Sequence, residues 1–432
     1  MTLNILPSTH WRSTLGGWLI LLFAIIALTL ITHHQALSYT GLMAAVAVIL
    51  LPTTLSKTLL WQCGLMLGIG FSLLIWMHFL GDDVPWLDAL NSNIPLLILF
   101  TSVSFLRVLP VTPAAQKQRT GPAAFVQTLL GTHLLAAIIN MSASIVVADY
   151  LNKDSSLSKT LAILTMRAVC IAAYWSPFFG AMATVLHYLP DIDILSLWIY
   201  SIPLTLIALT ISFFEAKHTD PEHLTTFKGY PIGIGPLLLP LSLLISALVA
   251  RLIWPDVAMV LLVSISALLI PCLFLIKRQG VIQSTRSITR HVSVGLGNLR
   301  GEFLLFISAG VLGYGGTALL KHYPPLLPFE TFDAGVASLL LLLLLAVAML
   351  GAHVLVGISV TAPVILSTDP DTTLLALCYL SAWSIAAVMS PFSGLSLFFK
   401  GHYQLSLAKM FSYHWRFGLI MTLAAMIAFY MV

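Results

Sequence analysis

The chain has 432 residues, of which 59% are hydrophobic and 8% are charged, and its mean hydropathy is +0.99. A soluble domain of this length cannot bury so much apolar surface, so the composition predicts a polytopic membrane protein whose partner is the lipid bilayer. The net charge of +4 is small and dispersed, which argues against a nucleic-acid partner.

Apolar runs of about 20 residues have the length that crosses a bilayer as a helix. The first run, 14–32, is too long for the apolar part of a signal peptide and lacks a small-residue cleavage site, so we expect it to remain as a helix. About 11 spans are predicted in this way. They are 14–32, 37–53, 58–80, 93–111, 158–189, 194–214, 232–254, 256–276, 302–320, 371–399 and 411–431.

Two further apolar runs are interrupted, 122–150 near Gly131-Thr132-His133 and 334–367 near Gly351-Ala352-His353. If the N-terminus is cytoplasmic and both runs are re-entrant hairpins, most lysines and arginines between the spans fall on the cytoplasmic side. Turning either hairpin into one full crossing spoils this sorting. The charges therefore predict two re-entrant hairpins and a cytoplasmic N-terminus. We also expect the chain to lie in a bacterial inner (plasma) membrane.

A five-residue motif, Ser-Pro-Phe-x-Gly, occurs twice, each time in the middle of a predicted span. The copies are Ser176-Pro177-Phe178-x-Gly180 and Ser390-Pro391-Phe392-x-Gly394. Proline removes a helix hydrogen bond and glycine adds backbone freedom, so the motif predicts two helices broken at mid-membrane, 158–189 and 371–399. Two breaks in corresponding halves favour a transporter's binding site, whereas the simpler interpretation is a pair of kinks with no ligand.

The hairpins and broken helices recur in the same order in both halves, in opposite orientations, which predicts inverted repeats. Residues 1–92 are then N-terminal scaffold helices and 93–215 the first repeat, while 302–432 form the second repeat. Residues 216–301 hold scaffold helices and a basic cytoplasmic linker, 277–301, predicted to lie as a helix on the membrane surface. Such repeats build alternating-access carriers around a midplane site.

The hairpin tips carry short polar motifs. They read Asn140-Met141-Ser142-Ala143-Ser144 in the first half and Gly357-Ile358-Ser359-Val360-Thr361-Ala362-Pro363 in the second. With the two Pro-containing breaks, this arrangement resembles the ion transporter superfamily, which includes divalent anion/sodium symporters and arsenite- and citrate-type secondary carriers. The resemblance implies an elevator-like movement of the hairpins and broken helices within a homodimer.

Hydroxyl groups at the tips and breaks are candidate ligands, although serine and threonine in membrane helices often bond their own backbone or a neighbouring helix. The candidate substrate-binding residues are Ser142, Ser144, Arg167, Ser176, Ser359, Thr361 and Ser390. Sodium is the one cofactor considered, with candidate ligands Ser142, Ser176, Ser359 and Ser390. The four cysteines have no metal-ligand spacing and are interpreted as small core residues.

Three more polar residues precede or form the tips. His133, His353 and Asn140 are predicted to serve in proton coupling or substrate binding, since histidine titrates near neutral pH. The alternative for the histidines is a neutral ring hydrogen-bonded within its hairpin. Arg167, the basic residue deep in a span, is predicted either to contact a carboxylate substrate or to lock to Asp149 or a backbone carbonyl.

No nucleotide-binding or hydrolase motif occurs, so the chain is not expected to be an enzyme. The sequence predicts a secondary active transporter that moves a small anion, an organic carboxylate or similar, coupled to Na⁺ or H⁺. A lone intramembrane arginine with no carboxylate in the spans favours an anion. The rivals are a cation or neutral-solute carrier on the same fold, and a channel or membrane assembly factor.

Overall fold

The computed structural model describes residues 7–32, 37, 39–109, 119–152, 157–231, 235–323 and 327–432. This part of the chain is helical, and its β-structure is limited to an isolated bridge between Thr120 and Lys228. The predicted all-α membrane fold is confirmed. Seven described segments are long and apolar enough to cross a bilayer, and five shorter apolar helices accompany them. The long segments are Trp11–Ile31, Lys57–Phe79, Trp86–Val108, Pro122–Ile139, Ile194–Thr219, Met259–His322 and Thr372–Tyr403.

The helices are numbered in chain order. The first eleven are α1 Pro7–Thr32, α2 Thr40–Leu50, α3 Lys57–Phe79, α4 Trp86–Asn91, α5 Ile94–Ser104, α6 Pro122–Ile139, α7 Met141–Leu151, α8 Lys159–Ala172, α9 Gly180–Tyr188, α10 Ile194–Thr219 and α11 Pro221–Thr226. The rest are α12 Gly235–Ile253, α13 Met259–Arg290, α14 Arg300–His322, α15 Ala334–Met349, α16 Val354–Leu366, α17 Thr372–Met389, α18 Gly394–Tyr403 and α19 Leu407–Phe429. Short 3₁₀ and π turns cover Phe105–Val108, His291–Gly295 and Leu296–Leu299.

The chain divides into two compact units. Unit 1 comprises Met1–Leu109, Ser246–Pro328 and Ser359–Leu366, and unit 2 comprises Pro110–Ile245, Phe329–Ile358 and Ser367–Val432. Helices α5 and α14, which open the predicted repeats, therefore belong to unit 1. The basic linker is helical on both sides of a bend at Gly280, where φ is +79°. Its location on a membrane surface stays a prediction.

In unit 1, α3 packs backbone to backbone against α14. A Cβ atom on Gly70 would lie 2.8 Å from the carbonyl of Val311, and one on Gly315 would lie 2.8 Å from the carbonyl oxygen of Gly70. Small residues permit this close approach, which is the usual way membrane helices gain packing contacts. The C-terminal ends of α3 and α14 consequently lie side by side.

In unit 2, α6 and α7 pack against each other and against α8. The predicted interruption at 131–133 is wrong, because α6 runs through it to Ile139. The turn is at Asn140, with φ +50°. Asparagine tolerates positive φ better than most residues, whereas glycine inside a helix can serve close packing instead of a turn. The tip residues predicted at 140–144 are thus correctly placed at the turn.

The second interruption lies where it is predicted, between α15 and α16, at Gly351 with φ +105°. The tip predicted at 357–363 is wrong, because these residues lie inside α16. Gly357 serves packing instead, since a Cβ atom there would lie 2.5 Å from the side chain of Leu344 on α15. Whether either hairpin is re-entrant stays a prediction.

Both predicted helix breaks are confirmed. Residues 173–179 separate α8 from α9, and residues 390–393 separate α17 from α18. Helix α17 stops directly before Ser390, whereas α8 stops at Ala172, four residues before Ser176. In both copies the next helix begins at the glycine of the motif, Gly180 or Gly394. A proline at the second motif position supplies no N–H for a continuing helix, which is why both breaks include this proline.

Candidate solute site at the helix breaks

The serine of the first motif joins the break to its own hairpin. The Ser176 hydroxyl donates a hydrogen bond to the carbonyl of Ala137, near the end of α6. It also accepts one from the backbone N–H of Phe178 at 3.2 Å. Ser176 is fully buried. Its hydroxyl thus satisfies an orphan carbonyl at the helix end and an N–H freed by the break.

The second motif is built in the same way. The Ser390 hydroxyl donates to the carbonyl of Ala348, near the end of α15, at 2.7 Å, and accepts from the N–H of Phe392 at 3.2 Å. Ser390 is also buried. The two serines therefore fasten corresponding breaks to corresponding hairpins. As predicted substrate or sodium ligands, both already use their proton and one lone pair.

The two broken helices touch at equivalent positions. The Ser384 hydroxyl on α17 donates to the carbonyl of Cys170 on α8 at 2.9 Å. Cys170 precedes Ser176 by as many residues as Ser384 precedes Ser390. A contact between equivalent positions is expected next to the axis that relates two repeats. It supports the interpretation of the two halves as structural repeats.

The first hairpin turn meets the first break. The Asn140 side-chain amide donates to the carbonyl of Phe178 at 3.3 Å. Asn140 directly precedes α7, and Phe178 lies just before α9. The N-terminal ends of these two helices therefore lie together, and no side chain caps either of them. Helix N-termini present N–H groups and partial positive charge, so two of them together favour an anion.

Two tip serines differ in availability. The Ser142 hydroxyl, in the first turn of α7, is partly exposed and bonds to no residue within the part of the chain that the structure describes. Ser144 is buried and donates to the carbonyl of Met141 at 2.8 Å. Ser144 thus bonds its own backbone, as serines in membrane helices often do, whereas the Ser142 hydroxyl can still donate to a ligand.

The corresponding helix ends of the second repeat are closed by side chains. Ser393 accepts from the N–H of Ser396 at the start of α18, at 3.1 Å. The ring Nδ1 of His353 accepts from the N–H of Leu355 at the start of α16, at 3.1 Å. These two side chains already accept from some of the N–H groups at the starts of α18 and α16. The uncapped helix ends are therefore a feature of the first repeat.

His133 is held by two hydrogen bonds within the first repeat. The Trp175 indole donates to His133 Nε2 at 2.9 Å, and His133 Nδ1 lies 3.1 Å from the carbonyl of Ala168. An indole N–H only donates, so Nε2 accepts and Nδ1 carries the proton. The ring is neutral with both nitrogens engaged. This geometry matches the structural alternative for His133 better than a role as proton carrier or ligand.

Arg167 is fully buried and surrounded by protein groups. Its Nη1 lies 2.9 Å from a carboxylate oxygen of Glu215 on α10. On α19, Nδ1 of His414 and the carbonyl of Tyr413 accept from it at 3.2 and 2.8 Å, and the guanidinium lies 4.3 Å from the centre of the Phe417 ring. Arg167 therefore ties α8 to α10 and α19. It is not offered to a substrate in this conformation.

The premise that Arg167 has no carboxylate partner is wrong, because Glu215 is that partner. Of the two predicted structural partners, the backbone carbonyl is confirmed by Tyr413. Asp149 instead accepts from the Tyr403 hydroxyl at 2.7 Å and lies 3.1 Å from Nε2 of His402. Glu215 comes one residue after the predicted span 194–214, while α10 continues to Thr219. A helix prediction extended by one turn would have included it.

The remaining predicted ligands, Ser359 and Thr361, lie inside α16, in the segment assigned to unit 1. Both helix breaks belong to unit 2, so Ser359 and Thr361 are assigned to a different unit from the breaks. Pro177, Gly180, Pro391 and Gly394 form the breaks themselves, as predicted.

No protein-family model matches the chain, and no curated protein matches it. Among solved structures, the chain is similar to the Alcanivorax borkumensis YdaH transporter, whose crystal structure is described as having an unusual topology. The similarity covers 96% of this chain and 98% of that chain, with 13% identity and a TM-score of 0.45. A similarity this distant carries no functional argument.

Proposed function

We propose that this chain is a secondary active transporter, and not an enzyme, that binds a small anion where the N-terminal ends of α7 and α9 meet. The observation that carries the proposal is the hydrogen bond from Asn140 to the carbonyl of Phe178, which brings two uncapped helix ends together. Half-helix N-termini directed at an anionic group are the arrangement that transporters with broken helices use.

An anion suits this place for electrostatic reasons. Each helix end contributes unsatisfied N–H groups and about half a positive charge. Ser142 adds a hydroxyl donor, and the Asn140 amide adds the one N–H that its bond to Phe178 does not use. Arg167 takes no part, since Glu215 already neutralises it. We therefore assign anion binding to backbone and amide donors, which suits a carboxylate or a similar small oxyanion.

The transport cycle needs a part that moves as a body. Both breaks and both hairpin turns belong to unit 2, and Ser176 and Ser390 fasten each break to its hairpin. These links support an elevator-like movement in which the first hairpin, the turn of the second hairpin and both broken helices travel together. The last part of α16, Ser359–Leu366, is assigned to unit 1 and is not included in this moving part. A homodimeric assembly in the inner membrane and coupling to Na⁺ or H⁺ complete the proposal, with Ser142 as the hydroxyl open to an ion.

Thermal shift of the purified protein tests the binding site. We expect one or more of citrate, succinate, sulfate and phosphate to raise the unfolding temperature, with measurements made in sodium and in potassium buffers. Asn140→Ala and Ser142→Ala should each reduce that increase, because they remove donors at the helix ends. Ser393→Ala, which removes a cap in the second repeat, serves as the matched control and should retain the increase.

Two results of the thermal-shift measurement would contradict the proposed binding site. No stabilisation by any of these anions, or full stabilisation of Asn140→Ala and Ser142→Ala, would reject the site. Reconstituted protein separates a carrier from a channel. A carrier shows saturable uptake and counterflow of the stabilising anion, and unsaturable flux without counterflow would assign the chain to the channel class.

A further inference from the structure

A cavity of about 260 Å³ lies in unit 1, between the C-terminal ends of α3 and α14 and the start of α4. Its apolar wall is formed by Leu74, Met77 and Val84, which are buried in the core of this unit. Ligand pockets for drug-sized molecules are larger as a rule, at about 300–1,000 Å³. The cavity therefore suits a small polar group that is attached to an apolar molecule.

Charged groups of both signs line the same cavity. His322 Nε2 lies 2.7 Å from a carboxylate oxygen of Asp82. Asp83 and Lys321 also line it, and neither makes an ion pair or side-chain hydrogen bond with another described residue. One carboxylate and one ammonium group thus face a shared space without pairing with each other. Both side chains are exposed, so a ligand with separated positive and negative charges could pair with each of them.

The surroundings of the cavity indicate a membrane interface. Trp76, Phe79 and Tyr323, at the same helix ends, expose 52%, 79% and 50% of their surface. Exposed aromatic side chains at the ends of spanning helices are typical of the headgroup region of a bilayer. At such an interface, a zwitterionic group attached to an apolar chain is the chemistry of a membrane lipid, and its acyl chains would continue along the apolar surface of α3.

We infer that this cavity binds the phosphoethanolamine head group of a membrane lipid. The phosphate lies at Lys321, since His322 Nε2 already faces Asp82, and the ammonium group lies at Asp83. A primary ammonium donates three hydrogen bonds, whereas the quaternary ammonium of phosphatidylcholine donates none, so the carboxylate discriminates between them. Phosphatidylglycerol lacks the positive charge and therefore forms no ion pair with Asp83. The inference is independent of the anion site, which belongs to unit 2.

The test uses the full-length protein, purified and delipidated in detergent, with native mass spectrometry and thermal unfolding as readouts. Phosphatidylethanolamine should bind and raise the unfolding temperature more than phosphatidylglycerol or phosphatidylcholine of the same chain composition. Lys321→Gln and Asp83→Asn should each weaken phosphatidylethanolamine binding by about two- to fivefold, the range for one partly exposed charge pair. Lys277→Gln and Asp256→Asn are matched charge controls outside the cavity.

Three results would overturn the inference. The first is equal binding of phosphatidylcholine and phosphatidylethanolamine. The second is unchanged binding in both Lys321→Gln and Asp83→Asn, provided that the variants unfold at the temperature of the delipidated wild type. The third is equal stabilisation by soluble O-phosphoethanolamine, which would assign the cavity to a soluble zwitterion instead of a lipid.

Discussion

Replacing Glu215 by glutamine is expected to destabilise unit 2 by leaving Arg167 charged and uncompensated. Arg167 is fully buried, and the Glu215 side chain is 14% exposed. Removing one partner of a buried ion pair typically costs about 3–5 kcal/mol. Here the carbonyl of Tyr413 and the ring of His414 still accept hydrogen bonds from the guanidinium. We therefore expect a smaller loss, of about 2–3 kcal/mol, in the free energy of unfolding.

A double-mutant cycle separates this pairing from simple loss of a polar contact. Arg167→Met removes the charge and retains an apolar side chain, so adding Glu215→Gln to it should cost about 0.5 kcal/mol or less. The two single losses should thus exceed the loss in the double variant by about 1.5 kcal/mol or more. Glu222→Gln, on an exposed turn of α11, is the control for a neutralised carboxylate.

The assay is reversible unfolding of the purified protein in mixed micelles, with variants compared at equal detergent composition. Additive losses in the double variant would show that Glu215 does not compensate Arg167. A Glu215→Gln protein as stable as Glu222→Gln would refute the reasoning in the same way. Either result would return Arg167 to consideration as a substrate contact.

Three further predictions concern single positions. Ser176→Ala should lower the free energy of unfolding by about 1–3 kcal/mol, since it leaves a buried helix-end carbonyl unpaired; denaturant titration measures this. Gly70→Leu should prevent formation of a monodisperse protein, because its Cβ atom would lie 2.8 Å from the backbone of α14. Gly64→Leu is the control, because a Cβ atom there meets nothing within 4 Å. In size-exclusion chromatography the Gly64→Leu protein should behave as wild type. Hydrogen bonding from the Ser196 hydroxyl holds the pKa of Asp193 below its ordinary value, so its stabilisation is present above that ordinary pKa and is lost as pH falls through the folded-state pKa. Asp193→Asn should consequently flatten the fall of the unfolding temperature with acidification, and an unchanged slope would contradict this.

The helix breaks are predictable because their cause is local. Pro177 and Pro391 lack the N–H that a continuous helix requires, and each is followed by a glycine at which the next helix begins. The same local reasoning succeeds at Gly351, which adopts positive φ. These features depend on the chemistry of a few adjacent residues and on nothing elsewhere in the chain.

The failures involve contacts between helices. Gly131 looks like a turn in the sequence but lies inside a helix, while Asn140 adopts the positive φ. Gly357 likewise admits a neighbouring leucine instead of forming a tip. The pairing of Arg167 with Glu215 joins helices far apart in sequence. Periodicity and hydropathy describe each helix singly, so they do not specify which faces meet.

Anion protection of a cysteine at position 142 tests the central claim most directly. In a Cys272→Ala background, where the remaining native cysteines are buried, Ser142→Cys places a thiol beside the N-terminal ends of α7 and α9. We predict that the anion that stabilises the protein slows modification of this thiol by a membrane-impermeant maleimide, and that it does not slow modification of Ser393→Cys. Equal modification rates at position 142 with and without that anion, in a Ser142→Cys protein whose unfolding temperature the anion still raises, would contradict the account.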